Sequence, residues 1–144
     1  MDFSTYITYP IDFLPPQGVE VHDFSALTSW FYQDVFYIHA KKGAVYGLTD
    51  AIEQKRFMAE QFGEKKVFAV IDVRNPISMT VEARRYYKSR EGGQGCVACC
   101  FIINSPVSRL IANLLLTVLT TRLPVKIVAS VEDALAWGTQ NHYY

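Results

Sequence analysis

The sequence predicts an α/β domain in which a β-hairpin is followed by the order α-β-α-β-α-β-α. Three observations predict it. Two nearly continuous apolar runs, Val67 to Val73 and Cys96 to Ile103, have the length of strands covered on both faces. The stretches after them carry helical spacing and helix-start chemistry, most clearly at Ser105-Pro106. Strands that alternate with helices pair in parallel, each connection crossing one face of the sheet.

The elements follow in order. Residues 1–24 form an aromatic, proline-rich arm in which Phe3, Tyr6, Ile7, Tyr9, Ile11, Phe13 and Leu14 show neither helical nor strand period. The arm is expected to pack on the domain, residues 25–144, or on a second copy. Leu27–Tyr32 and Val35–Ala40 are aromatic and β-branched, and the two residues between them, Gln33 and Asp34, make a hairpin. Thr49 is expected to cap the first helix, with Asp50 and Glu53 in its first turn, Ile52, Ala59 and Phe62 on its apolar side with Ala51 and Met58 beside them, and Gly63 at its end. Asn75-Pro76 breaks the first buried strand. A helix from Val81 to Arg90 stops at Gly92, Gly93 and Gly95. Ser105 and Pro106 start a helix whose apolar side is Val107, Leu110, Ile111, Leu114, Leu115 and Val118. Pro124 precedes a strand over Val125–Ala129. Ser130 caps a last helix that buries Ala134, Leu135 and Trp137.

Composition removes several classes of function. The 144 residues suit one domain, and burial of roughly 70% of the unfolded surface makes staples unnecessary. Fourteen basic and fourteen acidic residues cancel, so no overall field draws nucleic acid or anionic lipid. The apolar stretch Leu110–Leu119 is too short to span a bilayer. Met1–Val21 lacks the pattern of a signal peptide, and with three cysteines the expected location is a reducing cytoplasm.

Four blocks together resemble a known family: Val67-Phe-Ala-Val-Ile-Asp-Val-Arg, Thr80-Val-Glu-Ala-Arg-Arg-Tyr-Tyr, Ser105-Pro-Val-Ser-Arg-Leu-Ile-Ala-Asn and Glu132-Asp-Ala-Leu-Ala-Trp. They are similar to uncharacterised bacterial STAS-like proteins, which share the SpoIIAA-like fold of anti-sigma-factor antagonists. The resemblance covers residues 26–141. It implies a mixed β-sheet with packed helices and a regulatory role in recognising another protein. The family's Asp-Ser-Ser-Gly-like phosphorylation motif is missing: the equivalent turn reads Ile77-Ser-Met-Thr-Val-Glu. Ser78 and Thr80 are nearby hydroxyls, not matched residues.

The residues with potential chemistry are few. In a regular strand Cys96 and Cys100 face one way and Cys99 the other, which would keep the Cys96 and Cys99 sulfurs apart and exclude a redox or zinc pair. His39 is expected on the polar side of its strand. Asp72 is expected to pair with one of the arginines of the helix that follows. No nucleophile elbow, P-loop or dinucleotide fingerprint occurs, so no catalytic residue, metal or cofactor is expected. Ligands and partners of open α/β sheets meet the loops at the carboxyl ends of the strands. The candidate surface is therefore Ser78 and Thr80, the basic helix face with Arg84 and Arg85, and the helix start with Asn104, Ser105 and Arg109, whose free amides could hold an anion.

The expected role is non-enzymatic protein-protein regulation, with a protein partner and no nucleic acid. A second reading is a small-molecule or lipid-binding module, motivated by 14% aromatic residues and helices able to wall a pocket. A third is a homodimeric assembly domain that uses the arm.

Overall fold

Gln33 and Asp34 turn the chain with φ of 50° and 66°, the left-handed pair that a two-residue hairpin requires. This turn joins β2 (Leu27–Tyr32) to β3 (Val35–Ala40) in an antiparallel pair that closes at Tyr32 and Val35. The computed structural model describes residues 9–75, 77–88, 95–119 and 123–144, with residues 88 and 114–119 described by their backbone alone. The short β1 (His22–Asp23) extends the hairpin, and β5 (Val67–Asp72), β7 (Cys96–Ile102) and β8 (Val125–Val128) add in parallel. The six-stranded sheet has the order β1-β2-β3-β5-β7-β8. Among the described residues, four helices connect or follow these strands: α1 (Leu48–Phe62), α2 (Val81–Lys88), α3 (Pro106–Leu119) and α4 (Val131–Gln140). A separate parallel pair, β4 (Val45–Tyr46) and β6 (Ser78–Met79), links the entries to α1 and α2.

This is the expected mixed α/β architecture. The two-residue strands β1, β4 and β6 carry too few residues for an alternation pattern, and the sequence does not announce them.

β5 has neighbours on both edges and both faces, so Val67 to Val70 are all buried. One face of the sheet, with Phe36, Ile38, Ala69 and Cys99, lies under α1, α2 and α3. The other, with Trp30, Phe68, Val70, Cys100 and Ile102, lies under α4 and the segment around Phe13. Phe13 is 2% exposed and meets Trp30 and Tyr37 edge-on at 5.3 and 5.6 Å. Residues 9–13 thus serve as a lid on the sheet, their aromatic rings replacing a helix there.

Two helix phases differ from expectation. α1 starts one residue before Thr49, after Gly47, whose N–H donates to the Asp50 carboxylate at 2.8 Å. Its inner side carries Ala51, Gln54, Met58 and Phe62, while Ile52 and Ala59 face outward. The phase follows Phe57 and Phe62, which pack on Phe36 at 6.2 and 5.4 Å and bury more area than Ile52 or Ala59 would. In α3, Val107 and Leu110 are 54% and 61% exposed, and Ser108 and Ala112 are buried instead. The Ser108 hydroxyl accepts from the N–H groups of Asn104 and Ser105, which turns that side of the helix inward. The side chains of Leu114, Leu115 and Val118 lie outside the described residues, as do Arg90, Gly92 and Gly93.

α4 is capped as the sequence predicts, the Ser130 hydroxyl accepting from Asp133 N–H at 3.1 Å. Its contact with the sheet depends on Gly138, where an added Cβ would lie 2.6 Å from the Phe68 ring. Gly138→Ala would gain about 1 kcal/mol of helix propensity and meet that ring. We expect a net loss of about 1–3 kcal/mol from overpacking, read as a lower denaturant midpoint; an unchanged or higher midpoint contradicts the packing described.

Candidate functional site

The site begins with a register shift. β5 and β7 pair Val67 with Cys96 but Phe68 with Ala98, so Val97 is an extra residue on β7. Such a bulge reverses the alternation that follows it. Val97, Ala98 and Cys100 face α4, whereas Cys96, Cys99 and Phe101 face α1–α3. The expectation that Cys96 and Cys99 point apart is therefore wrong: the two thiols lie on one face and interact by a hydrogen bond. This bond and burial push the Cys99 thiol well above its ordinary value, and burial pushes Cys100 up to about 12. Both are neutral thiols near pH 7, not nucleophilic thiolates.

The helix-covered face is floored by small side chains, including Ala40, Ala69 and Cys99. Ala51 of α1 is equally short. Larger residues stand around this floor: Met58, Met79, Tyr87 and Ile111. The result is a cavity of about 390 Å³ between the sheet and α1, α2 and α3. That volume falls in the range of small-molecule sites, whose walls are mainly apolar with a few placed polar groups.

The polar groups here are specific. Gln54 of α1 is 6% exposed and lines the cavity, and neither atom of its amide has a hydrogen-bond partner. Leaving such a group unpaired costs about 1–3 kcal/mol. Lys55, Ser78 and Arg84 complete the polar lining with the hydroxyls of Tyr46 and Tyr87, which bond each other. Burial pushes both tyrosines up, so they remain neutral. Among the lining residues described, both charged ones are cations.

The structure divides the residues proposed from sequence. Ser78 and Arg84 line the cavity. Ser78 belongs to β6, not to a helix start, and its N–H donates to Ala44 O. Thr80 is the cap of α2, accepting from Ala83 N–H at 3.2 Å. Arg85 is exposed. Asn104, Ser105 and Arg109 border a separate shallow cleft beyond β7 and β8. The amides there are not free, because Ser108 takes those of Asn104 and Ser105, and Ser105 takes that of Ser108 at 3.1 Å. Gln54 and Lys55 are cavity groups that sequence reasoning did not single out, and Cys96 and Cys99 are ones that it placed on opposite faces.

A second buried polar group lies on the opposite face. His39, expected on a polar strand face, is 1% exposed, and its Nδ1 is 3.0 Å from Asp72 Oδ2. An ionised carboxylate only accepts, so the His39 Nδ1–H is the donor. Asp72 pairs with Arg74, not with an arginine of α2: Arg74 donates from Nε at 2.8 Å and from its backbone N–H at 3.0 Å. Arg74 also pairs with Asp12, and Tyr9 and Phe13 pack on the His39 ring. The network joins the lid residues to the ends of β3 and β5, and every Asp72 oxygen has a partner.

The fold and cavity define the class: an α/β domain with a mostly parallel sheet and a helix-walled apolar chamber. An uncharacterized protein of the DUF3478 family from Shewanella loihica PV-4, described as having a SpoIIAA-like fold, matches with a TM-score of 0.56 at 14% identity. The match covers 86% of this chain and 98% of that one, and shows that the two share a fold. Residues 29–141 match the family model DUF7793, a domain of unknown function, and the chain belongs to that family. Among curated proteins none matches it. Among the described residues, no group of three or more His, Cys, Asp or Glu side chains is placed to hold a metal, and no helix is long and apolar enough to cross a membrane.

The Asp72 network predicts a pH dependence. Burial alone would raise the Asp72 carboxyl, but the hydrogen bonds from His39 and Arg74 and the Arg74 charge hold it below the ordinary carboxylate value. A carboxyl lowered on folding contributes stability above its unfolded value, about pH 4, and loses it as pH falls through the folded value. Asp72→Ala, which leaves Arg74 and His39 without their acceptor, should cost about 3 kcal/mol at pH 7. It should also flatten the loss of stability below about pH 4. Denaturant unfolding at several pH values checks both; an equally steep acid limb in the variant contradicts the assignment.

Proposed function

We propose that this domain is a non-enzymatic regulatory module that binds an apolar small molecule in the chamber between its sheet and α1–α3. The observation that carries this reading is the chamber itself, about 390 Å³ with mainly apolar walls and a few polar groups. Small-molecule sites have this size and this kind of lining. A ligand with an apolar body and one polar group suits it.

Partner binding through Thr80, Arg85, Asn104, Ser105 and Arg109 is the second reading. It is supported by the exposure of Val107 and Leu110 beside Arg109 at the start of α3. Exposed apolar residues with an adjacent arginine are common anchors of protein interfaces. The two readings are compatible, because α3 both walls the chamber and carries that surface.

Native mass spectrometry of protein purified gently from its own host tests the first reading. The expected result is an adduct of small-molecule mass, lost after Ala69→Leu. That substitution adds carbon to the chamber floor and should weaken ligand binding about tenfold, at least 1.4 kcal/mol, while keeping the melting temperature. A bare wild-type species that also fails to take up apolar probes overturns the reading.

A further inference from the structure

We infer that the chamber takes an anionic amphiphile: a medium-length apolar chain carrying one acidic head, held between Lys55 of α1 and Arg84 of α2. The inference rests on the reading of the chamber as a ligand site and goes on to the ligand's charge.

Two observations lead to the head group. First, among the described lining residues both charged ones, Lys55 and Arg84, are cations. Second, neither has an ion pair among the described residues. The ion pairs of the described residues use Lys41, Lys65 and Arg74, together with His22 and His39, but not Lys55 or Arg84. Both residues are half-buried, so their stems lie along apolar surface while their charged ends stay within reach of the chamber.

The remaining lining describes the body of the ligand. Leu27, Ile38, Met58, Met79 and Ile111 present aliphatic or thioether surface, and Cys96 and Cys99 add small thiols. Methionines adapt to unbranched, flexible chains better than rigid side chains do. At about 390 Å³ the chamber is near the lower end of ligand-site volumes, which favours a medium-length chain over a long one. The chemistry shared by all candidates is therefore a single anionic group on a flexible apolar tail, whether a free carboxylic acid or an alkyl phosphate.

Binding of three probes with the same ten-carbon tail tests this: decanoate, decanol and decyltrimethylammonium, by calorimetric titration of the full chain. We expect decanoate to bind about tenfold more tightly than decanol, as a charge-assisted hydrogen bond supplies. The cationic probe should bind more weakly than either. Added salt should weaken decanoate and leave decanol unchanged. In the double variant Lys55→Ala, Arg84→Ala the decanoate advantage should disappear while decanol still binds, which also shows that the variant is folded. Equal affinity for decanoate and decanol in the wild type overturns the acidic head and leaves the apolar chamber standing. A decanoate advantage that survives in the double variant overturns the assignment to Lys55 and Arg84. Binding of none of the three overturns the chamber as a ligand site. With the head established, decyl phosphate titrated beside decanoate separates the two sources: tighter binding of decyl phosphate means a phosphate head, and tighter binding of decanoate means the free acid.

Discussion

The floor of small side chains under α1 and α2 is the constraint on which the rest depends. Ala40 and Ala69 of the sheet and Ala51 of α1, which faces them, are each 0–1% exposed. Large side chains stand at the sides of that floor. Phe36, Phe57 and Phe62 fill the space beneath one side of α1, and the stacked rings of Tyr46 and Tyr87 join β4 to α2 at 6.1 Å. Aromatic pillars hold the helices at a distance that alanines cannot fill. A close-packed core needs large side chains opposite small ones; where small meets small, a chamber remains.

The opposite face shows the contrast. There Phe68 stacks on Tyr144 at 5.4 Å and meets Trp137 at 6.0 Å, and Gly138 lets α4 approach closely. His39 and Asp72 are buried on that face and bond each other, Arg74 bonds Asp72 and Asp12, and Phe13 completes the cover. One side of the sheet is thus closed by matched shapes. The other is hollow and holds an unsatisfied amide. The same six strands serve both, so the hollow cannot be assigned to a poorly formed sheet.

Most of the architecture was legible in the residues. The apolar runs at Val67–Val73 and Cys96–Ile103 marked the interior strands, and Ser105-Pro106 and Ser130 marked two helix starts, because those signals depend on neighbours in the chain. The helix phases were harder. Ile52 and Val107 fit an apolar stripe, yet the stripe that won was chosen by Phe57 and Phe62 in α1 and by the Ser108 hydroxyl in α3. The site was less legible still. A cavity is made by what side chains lack and by how far apart the pillars stand, neither of which has a sequence period. The bulge at Val97 was also silent, since Cys-Val-Ala-Cys-Cys alternates plausibly until one residue is left unpaired. His39 was misplaced because a polar residue in a strand is expected to face water, and only the fold brings Asp72 to it.

The most direct test of the account is whether the chamber is open to a ligand in solution. Methyl signals of Met58 and Met79, labelled with carbon-13, report on its wall, and the indole signals of Trp30 and Trp137 report on the opposite face. The account predicts that an apolar probe below its aggregation threshold shifts both methionine methyls in a saturable way and leaves both indoles in place. Unmoved methionines, or shifts spread equally over the two faces, would contradict it, because the probe would then be finding surface and not the space above Ala69 and Cys99.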